Sequence, residues 1–304
     1  MIVFSNISRN LKVVVTGFAL FATVTFQASG QSAEQYPHSQ DEIATGTNVG
    51  SVEWDNALAA YKSGKLDEAI RQFQDLVSLK PNDFSAKMML ADVLTRKLKP
   101  GVETPENLKI AQQAINLYLE VIASPGLEIR IPVPTMRALT VKAITQIARI
   151  NFSINKLDES KAWQKRVLTE EPKNAEASFA VGVIDWMQAH QNTLKALKAA
   201  GLTDDGMGNA KAPAAVMEAI KTQNGPLVEE ALLYLDQAIE NRPNYVDAMH
   251  YLDLVYRSNA DQDFGNEAAR LDDLAKAEEW RNKAMEARKT NEAKKPVGAA
   301  AAKL

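Results

Sequence analysis

The stretch GKLDEA at residues 64–69 occurs a second time, in altered form, as NKLDES at residues 155–160. Each stretch is followed at the same distance by a proline, Pro81 in one case and Pro172 in the other. The first residue of each stretch, glycine or asparagine, tolerates the left-handed backbone of a tight turn between helices. A proline stops the second helix and begins the next unit. The repetition therefore predicts two copies of a helix-turn-helix unit.

The sequence around these copies predicts an all-α fold. From about Val49 to Lys289 the chain consists mostly of good helix formers, and its apolar residues recur at intervals of three and four positions. The whole chain of 304 residues is 46% apolar and 24% charged, which is the balance of a folded protein with a sizeable core.

The repeated unit resembles the tetratricopeptide repeat, whose pattern combines small residues at helix contacts, an aromatic residue and a terminal proline. The best match has Ala57, Ala60, Gly64, Ala69, Phe73 and Pro81. A second match has Ala231, Leu235, Ala238 and Pro243. The resemblance implies an α-solenoid, in which stacked helical hairpins form a right-handed superhelix and the first helix of each hairpin lines a concave groove.

The prolines are spaced more widely than a standard unit, so insertions are expected within the array. The predicted domain covers 49–289, and its five units are 51–83, 84–126, 135–174, 175–243 and 245–289. We expect insertions at 97–104, 125–134 and 187–226, and the last contains four glycines and two short helices at 193–200 and 212–222. The helix at 267–289 is interpreted as a C-terminal cap.

The first 30 residues have the features of an export signal. Arg9 and Lys12 precede an apolar stretch from Val13 to Phe26, and small residues follow at 28–30. The apolar stretch is shorter than the roughly 20 residues that span a bilayer, so we expect a cleaved signal; an uncleaved anchor is the alternative. Residues 31–48 are interpreted as a flexible lead-in and 290–304 as a disordered tail. These features predict a periplasmic or secreted protein without stable membrane insertion after cleavage.

The composition gives little support for catalysis or for metal and cofactor binding. Cysteine is absent, which excludes disulfides, thiolate nucleophiles and a lipidated cysteine, and the three histidines are His38, His190 and His250. The stretch 259–267 resembles a calcium loop, but its glycine lies one position too late for an EF-hand. With a formal net charge of −3, nothing indicates binding to nucleic acid. We predict no catalytic residues, no metal and no cofactor.

The groove positions that the resemblance implies supply candidate partner-binding residues. They are Trp54, Leu58, Tyr61, Met88, Arg149, Phe152, Phe179, Trp186, His250 and Arg257. Exposed aromatic side chains at helical spacing favour peptide recognition, whereas buried ones are core; for Phe179 and Trp186 we favour core packing or cover by the long insertion. Trp54 and Met88 stand where a clamp for an acidic C-terminus would have cationic or amide side chains, so no such clamp is assigned.

Three functions remain open from the sequence. The first is an extracytoplasmic scaffold that binds a protein or peptide through the groove. The second is an accessory subunit of envelope assembly or transport. The third is a small-molecule binder or enzyme with a pocket under the 187–226 insertion, which would be a deep polar pocket ringed by acids with shifted pKa values.

Overall fold

The computed structural model describes residues 49–124 and 133–293, and all regular secondary structure in these ranges is helical. Ten helices lie in the described ranges. They are α1 Val52–Lys62, α2 Leu66–Leu79, α3 Phe84–Lys97, α4 Pro105–Ile122, α5 Val133–Ser153, α6 Leu157–Glu170, α7 Ala175–Ala199, α8 Ala214–Asn241, α9 Val246–Ala260 and α10 Glu267–Ala293. The all-α prediction is confirmed. The signal at 1–30, the lead-in with His38, and residues 294–304 of the tail lie outside the described residues.

The chain divides into two compact units, up to Ser160 and from Lys161 onward. In the first, α1 packs on α2, α2 on α3, α3 on α4 and α4 on α5. In the second, α7 packs on α8 and α9 on α10, while α9 also contacts both helices of the preceding hairpin. Each unit thus shows the stacking of consecutive hairpins that the repeat predicts.

Local sequence signals explain where the helices begin and turn. Ser51 caps α1 by accepting a hydrogen bond from the Trp54 backbone N–H at 3.1 Å, and Asp83 and Asn174 cap α3 and α7 in the same way. Gly64 and Asn155 have φ values of 77° and 60°. The two copies therefore share the left-handed turn that the sequence predicts.

Small residues let the paired helices approach closely. Ala69 on α2 and Ala231 on α8 are both fully buried, in equivalent positions on the second helix of a hairpin. Gly182 on α7 lies so close to α8 that a Cβ built there would be 2.6 Å from Cγ of Leu235. The conformational cost of glycine in a helix is thus offset by close contact between α7 and α8.

The structure corrects the interpretation of 187–226 as an insertion with two separate short helices. α7 has 25 residues and continues through the first predicted helix, and α8 has 28 residues, begins at Ala214 and passes through Pro226 without ending. The extension has its own core, in which Leu197, Met217 and Ile220 are at most 1% exposed. Burial of these apolar side chains keeps the chain helical beyond the repeat pattern, which a local proline signal cannot reveal.

Two further segments can be compared with the boundaries predicted from the sequence. The loop from Leu98 to Thr104 is held by buried Asn107, whose amide donates to the carbonyls of Lys99 and Val102. These bonds hold a non-helical segment between α3 and α4. At the other end, α10 continues to Ala293, four residues beyond the predicted boundary at 289.

Candidate partner-binding surface

Half of the predicted groove residues are buried in the folded chain. Trp54, Met88, Phe152, Phe179 and Trp186 are at most 8% exposed, whereas Leu58, Tyr61, Arg149, His250 and Arg257 are partly exposed. A buried side chain offers no free area to a partner. For the five buried residues the expectation of an exposed groove contact is therefore wrong, while core packing of Phe179 and Trp186 agrees with the favoured interpretation.

Trp54 shows why a predicted groove residue of the first unit is buried. Its ring packs edge-on against Phe73 with centroids 5.5 Å apart, and both side chains are at most 2% exposed. Tyr61 is partly covered by the Arg96 guanidinium, which lies 5.0 Å from the ring centroid. Of the three groove residues predicted on α1, Trp54 is therefore core, because it fills the space in front of α2, whereas Leu58 and Tyr61 are partly exposed.

A row of aromatic rings joins α7 and α9 in the second unit. The rings of Phe179 and Trp186 each pack edge-on against Tyr251, at 5.5 and 5.3 Å between centroids. His190 stacks on Trp186 at 5.2 Å, with the two ring planes 8° apart. Residues 179 and 186 lie two helical turns apart, so both face α9 and receive Tyr251 between them.

The outer edge of this row is partly exposed. We define the α7–α9 surface as four partly exposed residues: His190 and Tyr251, which contact buried Trp186, and Leu254 and Arg257, which follow Tyr251 along α9. Leu254 follows Tyr251 by three residues and precedes Arg257 by three, so these side chains share one side of α9. Sequence reasoning omitted Tyr251 because the repeat phase assigned the groove position to its neighbour His250.

Burial shifts the titration of two groups at this surface. Burial raises the pKa of Tyr251 to about 12. Burial lowers the pKa of His190 below its ordinary value, although the nearby carboxylate of Asp204 opposes this effect. Both side chains are therefore uncharged at pH 7, and they present ring faces and edges for neutral contacts.

The charges beside the surface are paired within the chain. Arg257 donates from Nε to Asp253 Oδ1 at 2.8 Å and from Nη1 to the Gly206 carbonyl at 3.1 Å. Asp253 also accepts from Arg281 Nε at 3.3 Å. Arg257, one of the predicted groove residues, therefore already has acceptors within the chain.

A cluster of charged side chains around buried Asp185 connects α6 with α7 and α8 in the second unit. Lys161 Nζ lies 2.5 Å from Oδ1 of fully buried Asp185 and 3.2 Å from Glu230, which also pairs with Lys165. Burial raises the pKa of Asp185 to about 7, against the lowering effect of the Lys161 ammonium. Two cations and two acids are in contact in this cluster. We therefore interpret it as a structural link between the three helices.

Two small cavities lie within the described ranges. One of about 230 Å³ lies against Gly208, Phe264 and Arg270, and another of about 150 Å³ lies between α1 and α2. Ordinary ligand pockets measure roughly 300–1,000 Å³. Within the described ranges, no group of three histidine, aspartate or glutamate side chains is placed to hold a metal ion.

Comparisons with known proteins give low similarity. No protein-family model matches the chain, and no curated protein matches it. Among solved structures, MamA is 13% identical with a TM-score of 0.49, covering 81% of this chain and 95% of its own. YrrB, described as a TPR protein with an unusual peptide-binding site, is 13% identical with a TM-score of 0.43, covering 78% of this chain and 90% of its own. TM-scores below 0.5 do not establish a common fold.

Several features that the sequence predicts recur among the described helices. Hairpins stack in sequence, Ala69 and Ala231 are both fully buried on the second helix of a hairpin, and the left-handed turn at Gly64 recurs at Asn155. These features are those of an all-α array of helical hairpins. No helix among the described residues combines the length and apolar character needed to cross a membrane.

Proposed function

We propose that this protein is an interaction scaffold that binds a segment of a protein partner on the α7–α9 surface. The observation that carries the proposal is the partly exposed pair His190 and Tyr251, which pack on the buried ring of Trp186, with partly exposed Leu254 one turn along α9 from Tyr251. A rigid aromatic platform offers contact area with little loss of side-chain entropy on binding. Neutral rings beside internally paired charges suit a peptide segment better than a highly charged ligand.

We also propose that the scaffold works outside the cytoplasm. The support is the N-terminal pattern of Arg9 and Lys12, an apolar stretch and small residues at 28–30. Fractionation of cells that express the full chain tests this. We expect the protein in the periplasmic or secreted fraction, shortened by a mass that corresponds to cleavage near Gln31. Full-length protein in the cytoplasm would contradict the proposal.

Affinity capture from an envelope extract tests the binding function. We compare the unaltered protein with Leu254→Glu, which places a charge on the α7–α9 surface, and with Leu233→Glu. Leu233 is the matched control, because it is a 55% exposed leucine on α8 outside this surface. Helicity of all three proteins is checked by circular dichroism.

We expect one protein to be retained by the unaltered scaffold and by Leu233→Glu, but lost with Leu254→Glu. A buried charge without a partner is costly at an interface, so the loss is large. Equal retention by all three proteins, or no specific retention by any of them, would contradict the proposal.

A further inference from the structure

The loop at 201–213, between α7 and α8, is built by its own side chains. Asp204 Oδ1 accepts from the Gly206 N–H at 2.9 Å and from the Asn209 amide at 3.0 Å. Asp205 Oδ1 accepts from the Met207 N–H at 2.7 Å and from the Asn209 N–H at 3.0 Å. These bonds fix a short segment whose backbone turns through positive φ at Gly206, Gly208 and Asn209.

The next hairpin holds the same loop from the other side. The Asn209 amide donates to Oδ1 of buried Asp261 at 2.8 Å. Arg257 donates to the Gly206 carbonyl and Arg270 donates to the Met207 carbonyl at 2.5 Å. A Cβ at Gly208 would be 2.9 Å from the Ala260 carbonyl, so the backbone contacts α9 directly.

This rigid loop presents an exposed methionine. Met207 is 45% exposed, although its backbone N–H and carbonyl are both bonded. Its sulfur lies 3.7 Å from Arg257 Nη1, and Arg257 belongs to the α7–α9 surface. His190 of that surface also faces the loop, with Nδ1 3.8 Å from Asp204 Oδ2. The loop therefore borders the α7–α9 surface at one end.

We propose that Met207 is an apolar anchor of the partner site and that it selects a segment carrying a large apolar side chain without acidic neighbours. This inference rests on the proposed function of the α7–α9 surface. A methionine adapts its shape to varied apolar groups, and a fixed backbone lowers the entropy lost when they bind.

Charge at the loop favours this partner over an acidic tail. The two nearby cations are already engaged, Arg257 by Asp253 and Arg270 by Glu267 in addition to the loop carbonyls. Asp204 and Asp205 add negative charge beside Met207. An acidic segment would therefore meet like charges with no free guanidinium to compensate, whereas an apolar segment brings no charge to be repelled.

Selection of displayed random peptides on the intact protein provides a probe. The most enriched peptide is synthesised with a fluorophore and titrated by fluorescence anisotropy against the unaltered protein and its variants. We expect the enriched peptides to share a large apolar residue and to lack acidic residues beside it. For Met207→Glu we expect about a tenfold loss of affinity, and for Met207→Leu a change of less than about threefold. Leu233→Glu, on α8, is the control and should bind like the unaltered protein.

The outcomes separate this inference from the proposed function. If binding is lost with Leu254→Glu but unchanged with Met207→Glu, the surface binds peptides and the role of Met207 is refuted. If the enriched peptides are acidic, the predicted partner chemistry is refuted. If no peptide is enriched, or if the peptides bind Leu254→Glu normally, the proposed function fails and this inference fails with it.

Discussion

The close contact between α7 and α8 at Gly182 leads to a quantitative prediction. Alanine in place of glycine normally stabilises a helix interior by about 1 kcal/mol. Here its Cβ would lie 2.6 Å from Leu235 Cγ and 3.1 Å from the Ala231 carbonyl oxygen. Overpacking of the added methyl group against the Leu235 side chain costs about 3 kcal/mol, so we expect Gly182→Ala to lower the free energy of unfolding by about 2 kcal/mol.

A double-mutant cycle shows whether the contact is the cause. Leu235→Ala alone should cost about 3 kcal/mol, because Leu235 is fully buried. In the double variant the added methyl group occupies part of the space that Leu235 leaves, so the total loss should be about 3 kcal/mol rather than about 5 kcal/mol. This corresponds to a coupling free energy of about 2 kcal/mol.

Urea unfolding followed by circular dichroism measures all four proteins, with the free energy obtained from the midpoint and the slope. Additivity of the two single changes within about 0.5 kcal/mol would refute the contact between α7 and α8. Gly182→Ala as stable as the unaltered protein would refute it as well.

Other predictions concern buried charge, a helix-interior proline and a turn. Burial and the Asp204 carboxylate raise the pKa of Asp261 from 3.8 to about 7. The protonated Asp261 carboxyl group therefore contributes its full stabilisation of the fold below pH 3.8, and this stabilisation is lost as the pH rises to 7. Asp261→Asn should therefore gain up to about 4 kcal/mol relative to the unaltered protein between pH 4 and 7, and parallel pH profiles of the unfolding free energy would contradict this. Pro226→Ala should restore a backbone N–H inside α8 and raise the free energy of unfolding by about 1–3 kcal/mol, whereas a lower melting temperature would show that the proline is required. Asn155→Ala should cost about 1–2 kcal/mol in urea unfolding because φ is 60° there, while Asn155→Gly should be nearly neutral; equal stability of the two would remove the strain argument.

The fold was largely predictable from sequence because its signals are local. The turn at 64–69 and its copy at 155–160 specify a hairpin, and alanines at fixed positions specify its close packing. The continuation of α7 and α8 was not predictable, because it depends on contacts among Leu197, Met217 and Ile220, which are far apart in sequence. Tertiary burial there overrides the local signal of Pro226.

The candidate site was less predictable. The repeat phase placed Trp186 and Arg257 near the surface proposed above, but it could not indicate that Trp186 would be covered by Tyr251 and His190. Exposure depends on the neighbouring helix, and helical periodicity reports only which residues share a face. Nor did the sequence suggest Met207, because the bonds that fix its loop come from Arg257 and Arg270, about 50 to 60 positions away.

Hydrogen exchange of the second unit with and without the selected peptide tests the central claim most directly. Slower exchange of backbone amides is expected in the loop at 201–213 and in the C-terminal half of α9, because both border the α7–α9 surface. Amides of the exposed face of α8 around Leu233 should exchange at unchanged rates. Slowing confined to α8, or to helices of the first unit, would contradict the assignment of the partner site.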